Sequence, residues 1–185
     1  MKTQEKLILL FVAVLALFAG QMYYQASSEK NYSDLVQVYQ PERELKSFSL
    51  IDEANQAFSN ENLKGNWSLV FLGYLSCPDI CPMTMSKLSS LLPQLNEIST
   101  EPVQVLFVSV DPKRDLVDKR QKYVNYFHSD IKGLGAEHKY LFPFVTNLGL
   151  MYSVPTEDEE NYYVDHSASV ALINPSGNIA AMFKP

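Results

Sequence analysis

The run Trp67-Ser-Leu-Val-Phe-Leu-Gly-Tyr74 is followed within three residues by Cys77-Pro-Asp-Ile-Cys81-Pro82, and this junction constrains the fold more than any other part of the chain. Eight residues that are almost all apolar or aromatic suit a strand buried on both faces, the condition of a central strand covered by helices. Pro78 and Pro82 lack an amide hydrogen, so they are tolerated only before a helix or in its first turn, and they fix where the next helix begins. Met85, Leu88, Leu91, Leu92 and Leu95 then recur at helical spacing, which predicts an amphipathic helix over about 81–98. Two cysteines thus stand where a central strand meets its helix, at the carboxyl edge of the sheet, where open α/β sheets build their sites.

The remaining pattern completes that sheet. Val103 to Val110 is a second buried strand, and Leu116 to Phe127 and Lys139 to Met151 have helical spacing. Ser167 to Ile173, the turn Asn174-Pro-Ser-Gly177 and Ile179 to Phe183 predict a closing hairpin, while Phe48 to Ile51 and Ala57-Phe58 predict a short one ahead of the first strong strand. Two strands joined through a helix imply a parallel crossover, and the closing hairpin adds antiparallel strands. The expected fold is α/β, a thioredoxin-like mixed sheet flanked by helices.

The amino-terminal segment differs in kind. Lys2 and Lys6 precede an apolar run from Leu7 to Ala19, and no charge follows until Glu29. Such a segment exports or anchors a chain, and as a helix Leu7 to Ser28 would extend roughly 33 Å, enough for the hydrocarbon core of a bilayer. Around Leu17, Phe18, Ala19 and Gly20 small residues do not fall at both positions a signal peptidase needs before its cut, which favours an uncleaved transmembrane anchor over a cleaved signal. Lysines before the run place the rest of the chain outside the cytoplasm. The expected organisation is an anchor over 1–28, a polar tether over 29–46 and one domain over 47–185. A net charge of −6 in 185 residues, with no basic cluster, argues against nucleic-acid binding.

In an exported chain two cysteines ordinarily form a structural disulfide. A bridge between Cys77 and Cys81 would close a very short loop and contribute little by restricting the unfolded chain, so the pair suits chemistry better. Near a helix amino terminus the dipole and free amides favour thiolate, which is both nucleophile and soft-metal ligand. Two thiolates and an imidazole suit a soft ion such as Cu(I). His166, in Val164-Asp-His166-Ser167, is the candidate third donor, because in a thioredoxin-like sheet the loop entering the penultimate strand passes over the thiols. A structural histidine beside a strand is the plainer reading of that residue taken alone. Asp165 is a candidate to orient the imidazole.

Three separated blocks together resemble the Sco/SenC family: Cys77 to Pro82; Val108-Ser-Val-Asp111-Pro-Lys-Arg114-Asp115; and Val164-Asp-His166-Ser167 followed by Asn174-Pro-Ser-Gly177. The resemblance runs from about Phe48 to the end and extends to the single amino-terminal anchor. It implies a copper protein of cytochrome c oxidase assembly in which Cys77, Cys81 and His166 hold one copper, delivered to the copper-binding subunit of the oxidase. The alternative is a thiol-disulfide oxidoreductase that reduces the partner's copper-binding cysteines by cycling Cys77 and Cys81. A peroxidase of the peroxiredoxin kind is disfavoured, since Tyr74-Leu75-Ser76 lacks the threonine such sites place ahead of their cysteine. The implied location is a bacterial inner membrane facing the periplasm, because no Arg- and Ser-rich presequence precedes Leu7. Family members generally continue into a last helix beyond the region of Phe183-Lys184-Pro185, so a less covered sheet face is expected.

Other residues have plainer readings. Asp111 to Asp115 reads as a strand end and proline turn, with an acidic residue suited to capping the following helix and Arg114 able to pair with an acidic neighbour. Met83 and Met85 are expected in the core rather than as copper thioethers. His128 and His138 are expected in an exposed connection. The acidic run Thr156 to Asn161 is expected to be solvated, with docking to a basic surface as the functional alternative.

Overall fold

The computed structural model describes residues 3–28, 34–153 and 162–184. The chain divides at Asp34/Leu35 into two units. The first contains one helix, α1 (Thr3–Ser28). Described side chains from Leu10 to Met22 are all exposed, and among the described residues no helix is long and apolar enough to cross a membrane.

The second unit is built on a six-stranded mixed sheet. Its strands are β1 (Val36–Arg43), β4 (Trp67–Gly73), β5 (Val103–Ser109), β6 (Ile131–Leu134), β9 (Val170–Ile173) and β10 (Ile179–Phe183), in the order β1-β10-β9-β4-β5-β6. β4 pairs with β5 in parallel from Trp67 opposite Val103 to Gly73 opposite Ser109, and β5 pairs with β6 in parallel. β9 runs antiparallel to β4, β10 to β9 and β1 to β10. Helix α2 (Ile80–Ile98) connects β4 to β5, and α3 (Val117–Phe127) connects β5 to β6. α4 (His138–Leu148) follows β6. Two further pairs lie outside the main sheet: the hairpin β2 (Ser49–Ile51) with β3 (Ala57–Ser59), and β7 (Tyr152–Ser153) with β8 (Asp165–His166). The α/β, thioredoxin-like architecture expected from the sequence is the one observed.

The core follows from the patterns that predicted it. From Ser68 to Gly73 every residue of β4 is buried, as continuous apolarity required. Helix α2 buries Cys81, Met85, Leu88 and Leu92, a stripe at i, i+4, i+7 and i+11, whereas Leu91 is exposed. The turn between β9 and β10 closes with Gly177 at φ 88° and the Asn174 side chain accepting from the amides of Ser176 and Asn178. Val38, Trp67, Leu172 and Phe183 line a groove on the sheet beside β1.

Several expectations are corrected. Part of the stretch read as a tether is edge strand β1, whose Val36, Gln37 and Val38 pair with Phe183, Met182 and Ala181; its polar residues misled because an edge strand keeps one side in water. The connection carrying His128 and His138 contains strand β6, concealed by Gly133 and by its length of four residues. His138 is exposed but opens α4, with Nδ1 3.0 Å from the Tyr152 hydroxyl. Met85 is buried as expected, but Met83 is 63% exposed, because two helical positions from Cys81 it faces away from the core stripe. The acidic run Thr156 to Asn161 lies outside the described residues.

Candidate metal centre

The site forms at the carboxyl ends of β4 and β5. Beyond Gly73 the chain turns through Tyr74 to Asp79, with the Cys77 amide donating to the Tyr74 carbonyl at 3.2 Å. Helix α2 starts at Ile80, so Pro78 precedes it and Pro82 occupies its first turn, where neither residue costs a helical hydrogen bond. The Cys81 amide, one of the donors that a first turn leaves free, points at Cys77 Sγ at 3.4 Å. Cys81 lies on the buried face of α2 and Cys77 is partly exposed; both are free thiols.

His166 reaches the thiols from β8. Its Nε2 lies 3.4 Å from Cys81 Sγ, and its Nδ1 lies 3.1 Å from the Ser167 carbonyl. A carbonyl only accepts, so Nδ1 carries the proton and Nε2 presents its lone pair to the sulfurs. Phe71 and Tyr74 meet the imidazole edge-on, with ring centroids 6.0 and 5.9 Å away, which fixes the plane of the ring. Cys77, Cys81 and His166 form the group suited to a metal among the described residues, with donor atoms all within 4.8 Å of one another. Three donors about 2.0–2.3 Å from one ion stand roughly 3.5–4 Å apart, so small side-chain adjustments bring these three onto it. The donor set of two sulfurs and one neutral imidazole nitrogen is that of a soft or borderline ion.

Electrostatics divide the two thiols. Burial pushes Cys81 well above the ordinary thiol range, and its hydrogen bond with Cys77 acts the same way. Desolvation thus opposes the thiolate form that a helix amino terminus favours at Cys81. Burial also lowers the imidazole of His166, against the opposing pulls of the Ser167 carbonyl and Asp165, and this favours the neutral, ligating form. Asp165 is exposed, and the His166 Nδ1 proton goes to the Ser167 carbonyl instead. Tyr74 is raised by burial and then by the neighbouring Cys77 sulfur.

Asp115 does not cap α3. The capping position is Leu116, which has no side-chain bond to the helix, and Asp115 is buried beneath the site. Its Oδ2 accepts from the Ser109 hydroxyl at 2.7 Å and the Leu75 amide at 3.0 Å. Arg114 pairs with Asp111, as the sequence reading allowed. Gly73, Tyr74 and Tyr162 also belong to the site's surroundings, though the sequence does not single them out. A glycine at the end of a buried strand signals close approach by a neighbour and could have been noticed; nothing local marks the two tyrosines.

A family model described as SCO1/SenC matches residues 36–185. An SCO2-like protein of Rickettsia conorii is 30% identical over 190 residues, covering 99% of this chain and 92% of that protein. The mitochondrial SCO2 homolog of Homo sapiens is 36% identical over 132 residues, which are 70% of this chain and half of that protein. Among solved structures, copper-bound ScoI of Arabidopsis thaliana superposes with a TM-score of 0.70 at 32% identity, over 75% of this chain and 86% of that one. Copper-bound yeast Sco1 gives a TM-score of 0.70 at 28% identity, over 77% and 80% of the two chains. The copper expected from the sequence is the metal held by both neighbours. With the family model matched across the whole sheet, and Cys77, Cys81 and His166 grouped at its edge, the chain belongs to the SCO1/SenC family.

Proposed function

We propose that this protein is a copper metallochaperone that binds one copper through Cys77, Cys81 and His166 and delivers it to the copper-binding subunit of cytochrome c oxidase. The observation that carries this reading is the 3.4 Å approach of His166 Nε2 to Cys81 Sγ, with a lone pair directed at the sulfurs. A dithiol reductase needs only the two cysteines and gives a distant imidazole no task, whereas a soft-metal site uses all three donors. The family resemblance and the copper held by the solved neighbours support the choice of metal and of recipient.

Helix α1 is proposed as the anchor that keeps the copper domain at a membrane surface outside the cytoplasm, on a bacterial inner membrane facing the periplasm. In the sequence, an uncharged and largely apolar run from Leu7 to Ser28 follows Lys2 and Lys6.

The test is copper stoichiometry and affinity of the reduced full chain in detergent, beside its His166→Ala form. One tightly held copper in the parent and a large loss in the variant is the expected result. Full affinity in His166→Ala would overturn the three-ligand site. No copper in either form would leave a thiol-disulfide reductase as the better account.

A further inference from the structure

The two halves of the metal centre come from distant parts of the chain, and one short turn touches both. Residues 111–115 lie just beyond β5, closed by a hydrogen bond from the Asp115 amide to the Asp111 carbonyl at 3.0 Å. On one side, Asp115 Oδ2 accepts from the Leu75 amide, two residues before Cys77. On the other, Arg114 Nη1 donates to the Tyr162 carbonyl at 3.0 Å, four residues before His166. The same guanidinium is centred 3.7 Å from the Tyr162 ring and bonds Asp111 through Nε, while the Tyr162 hydroxyl donates to Asp111 Oδ1 at 2.7 Å. Arg114 Nη2 is buried without an acceptor among the described residues, and the guanidinium also faces the Tyr74 ring at 5.7 Å.

His166 needs such a hold. Strand β8 is two residues long and, among the described residues, pairs only with β7. After His166, Ser167 is tied to Met151 through its amide at 2.9 Å and its hydroxyl. Before it, the Val164 backbone is bonded by Tyr74, and Tyr162 is held by Asp111 and Arg114 in a closed three-residue ring of contacts that a lysine, lacking the planar fork, would not reproduce.

We propose that Asp115, and Asp111 with Arg114, are positioning residues for the metal centre, the first holding the cysteine segment and the other two the histidine segment, so that one turn sets the separation of Cys81 and His166. The proposal rests on the reading of Cys77, Cys81 and His166 as copper ligands. It differs from a general structural role in a way that can be measured, because each half acts through different donors.

The experiment is a thermodynamic cycle on the reduced full chain, with Cu(I) affinity read by competition with a chromophoric chelator. Arg114→Gln is expected to weaken copper roughly 10–100-fold in the parent, as loss of an outer-shell partner does, and to have little further effect in the His166→Ala background. Asp115→Ala is expected to weaken copper in both backgrounds, because it acts on the cysteine side. Equal losses for Arg114→Gln with and without His166 would overturn the assignment. Should Arg114→Gln fold poorly, Tyr162→Phe removes one bond of the same ring and is read in the same cycle. A copper-free readout separates this idea from the function it rests on: the His166 ring resonances of the apo protein should be sharp in the parent and averaged in Arg114→Lys. Unchanged resonances there overturn the clamp even if copper binds, and averaged ones sustain it even if the parent proves to hold no copper.

Discussion

A methyl group on Gly73 would stand 3.1 Å from Cys81 Sγ and 2.6 Å from Cε2 of Phe107. Gly73 is the last residue of β4, and its missing side chain is what lets the sulfur lie against the sheet. Phe107 is fully buried and has no room to retreat. Gly73→Ala should therefore destabilise the fold by about 1–3 kcal/mol, the usual range for overpacking a tight core. It should also weaken metal binding by displacing Cys81. Urea unfolding and copper titration of the same variant check both, and an unchanged copper affinity would show that the sulfur does not depend on this approach.

Arg120 is a structural counterpart to the clamp around the metal. It is 5% exposed, and it donates to the carbonyls of Asp115 at 2.8 Å and of Gly133 and Ile51 at 3.3 Å. One guanidinium thus joins the loop beneath the site to β6 and β2. Burial lowers its proton affinity, while Asp115, Glu53 and Asp52 pull the other way. Arg120→Met keeps an apolar stem but strands three carbonyls and removes the cation whose field Asp115 feels. The expected cost is about 3–5 kcal/mol, typical of breaking a buried charged network. Equilibrium denaturation measures it, and a change below about 1 kcal/mol would mean that water replaces the guanidinium.

The central sheet and the two cysteines of the candidate site were legible in the sequence for the same reason: both rest on short-range patterns. Continuous apolarity marked β4 and β5, prolines marked the start of α2, and the cysteine spacing marked the junction. His166 became legible only through topology and family resemblance, since nothing around it signals a ligand. What stayed hidden was set by tertiary contact. β1 is polar and gains strand structure from pairing with β10, and β6 carries a glycine where the Cβ of Arg120 lies 3.3 Å from the space a side chain would fill. Asp115 looked like a helix cap because a local bond was the nearest use for it, yet its partners are a strand serine and the amide of Leu75, forty positions earlier.

The two thiols should differ in reactivity. Cys81 is fully buried and pushed upward by desolvation, whereas Cys77 is partly exposed at the mouth of the site. Alkylation depends on thiolate and access together. In the reduced, metal-free protein at neutral pH, iodoacetamide should modify Cys77 at least about tenfold faster than Cys81. Mass spectrometry of the peptides resolves the two, and urea should abolish the difference. Equal rates in the native protein would contradict the burial of Cys81.

Asp115 should leave a mark on the pH dependence of stability. Burial raises its carboxyl above the ordinary value of 3.8, with the Ser109 and Leu75 hydrogen bonds opposing and losing. A group raised in the folded state binds its proton more tightly there than in the unfolded chain. Its contribution is fully present below the unfolded value and is lost as pH rises through the folded one. Asp115→Asn removes that titration and keeps an acceptor oxygen for the Leu75 amide. Relative to the variant, the parent should lose stability as pH rises above about 4 and then run level with it once the folded carboxyl has ionised. Urea midpoints of both proteins across this range provide the test. A parent that instead gains stability relative to Asp115→Asn over that interval would mean that the two hydrogen bonds, not desolvation, set the charge beneath the metal site.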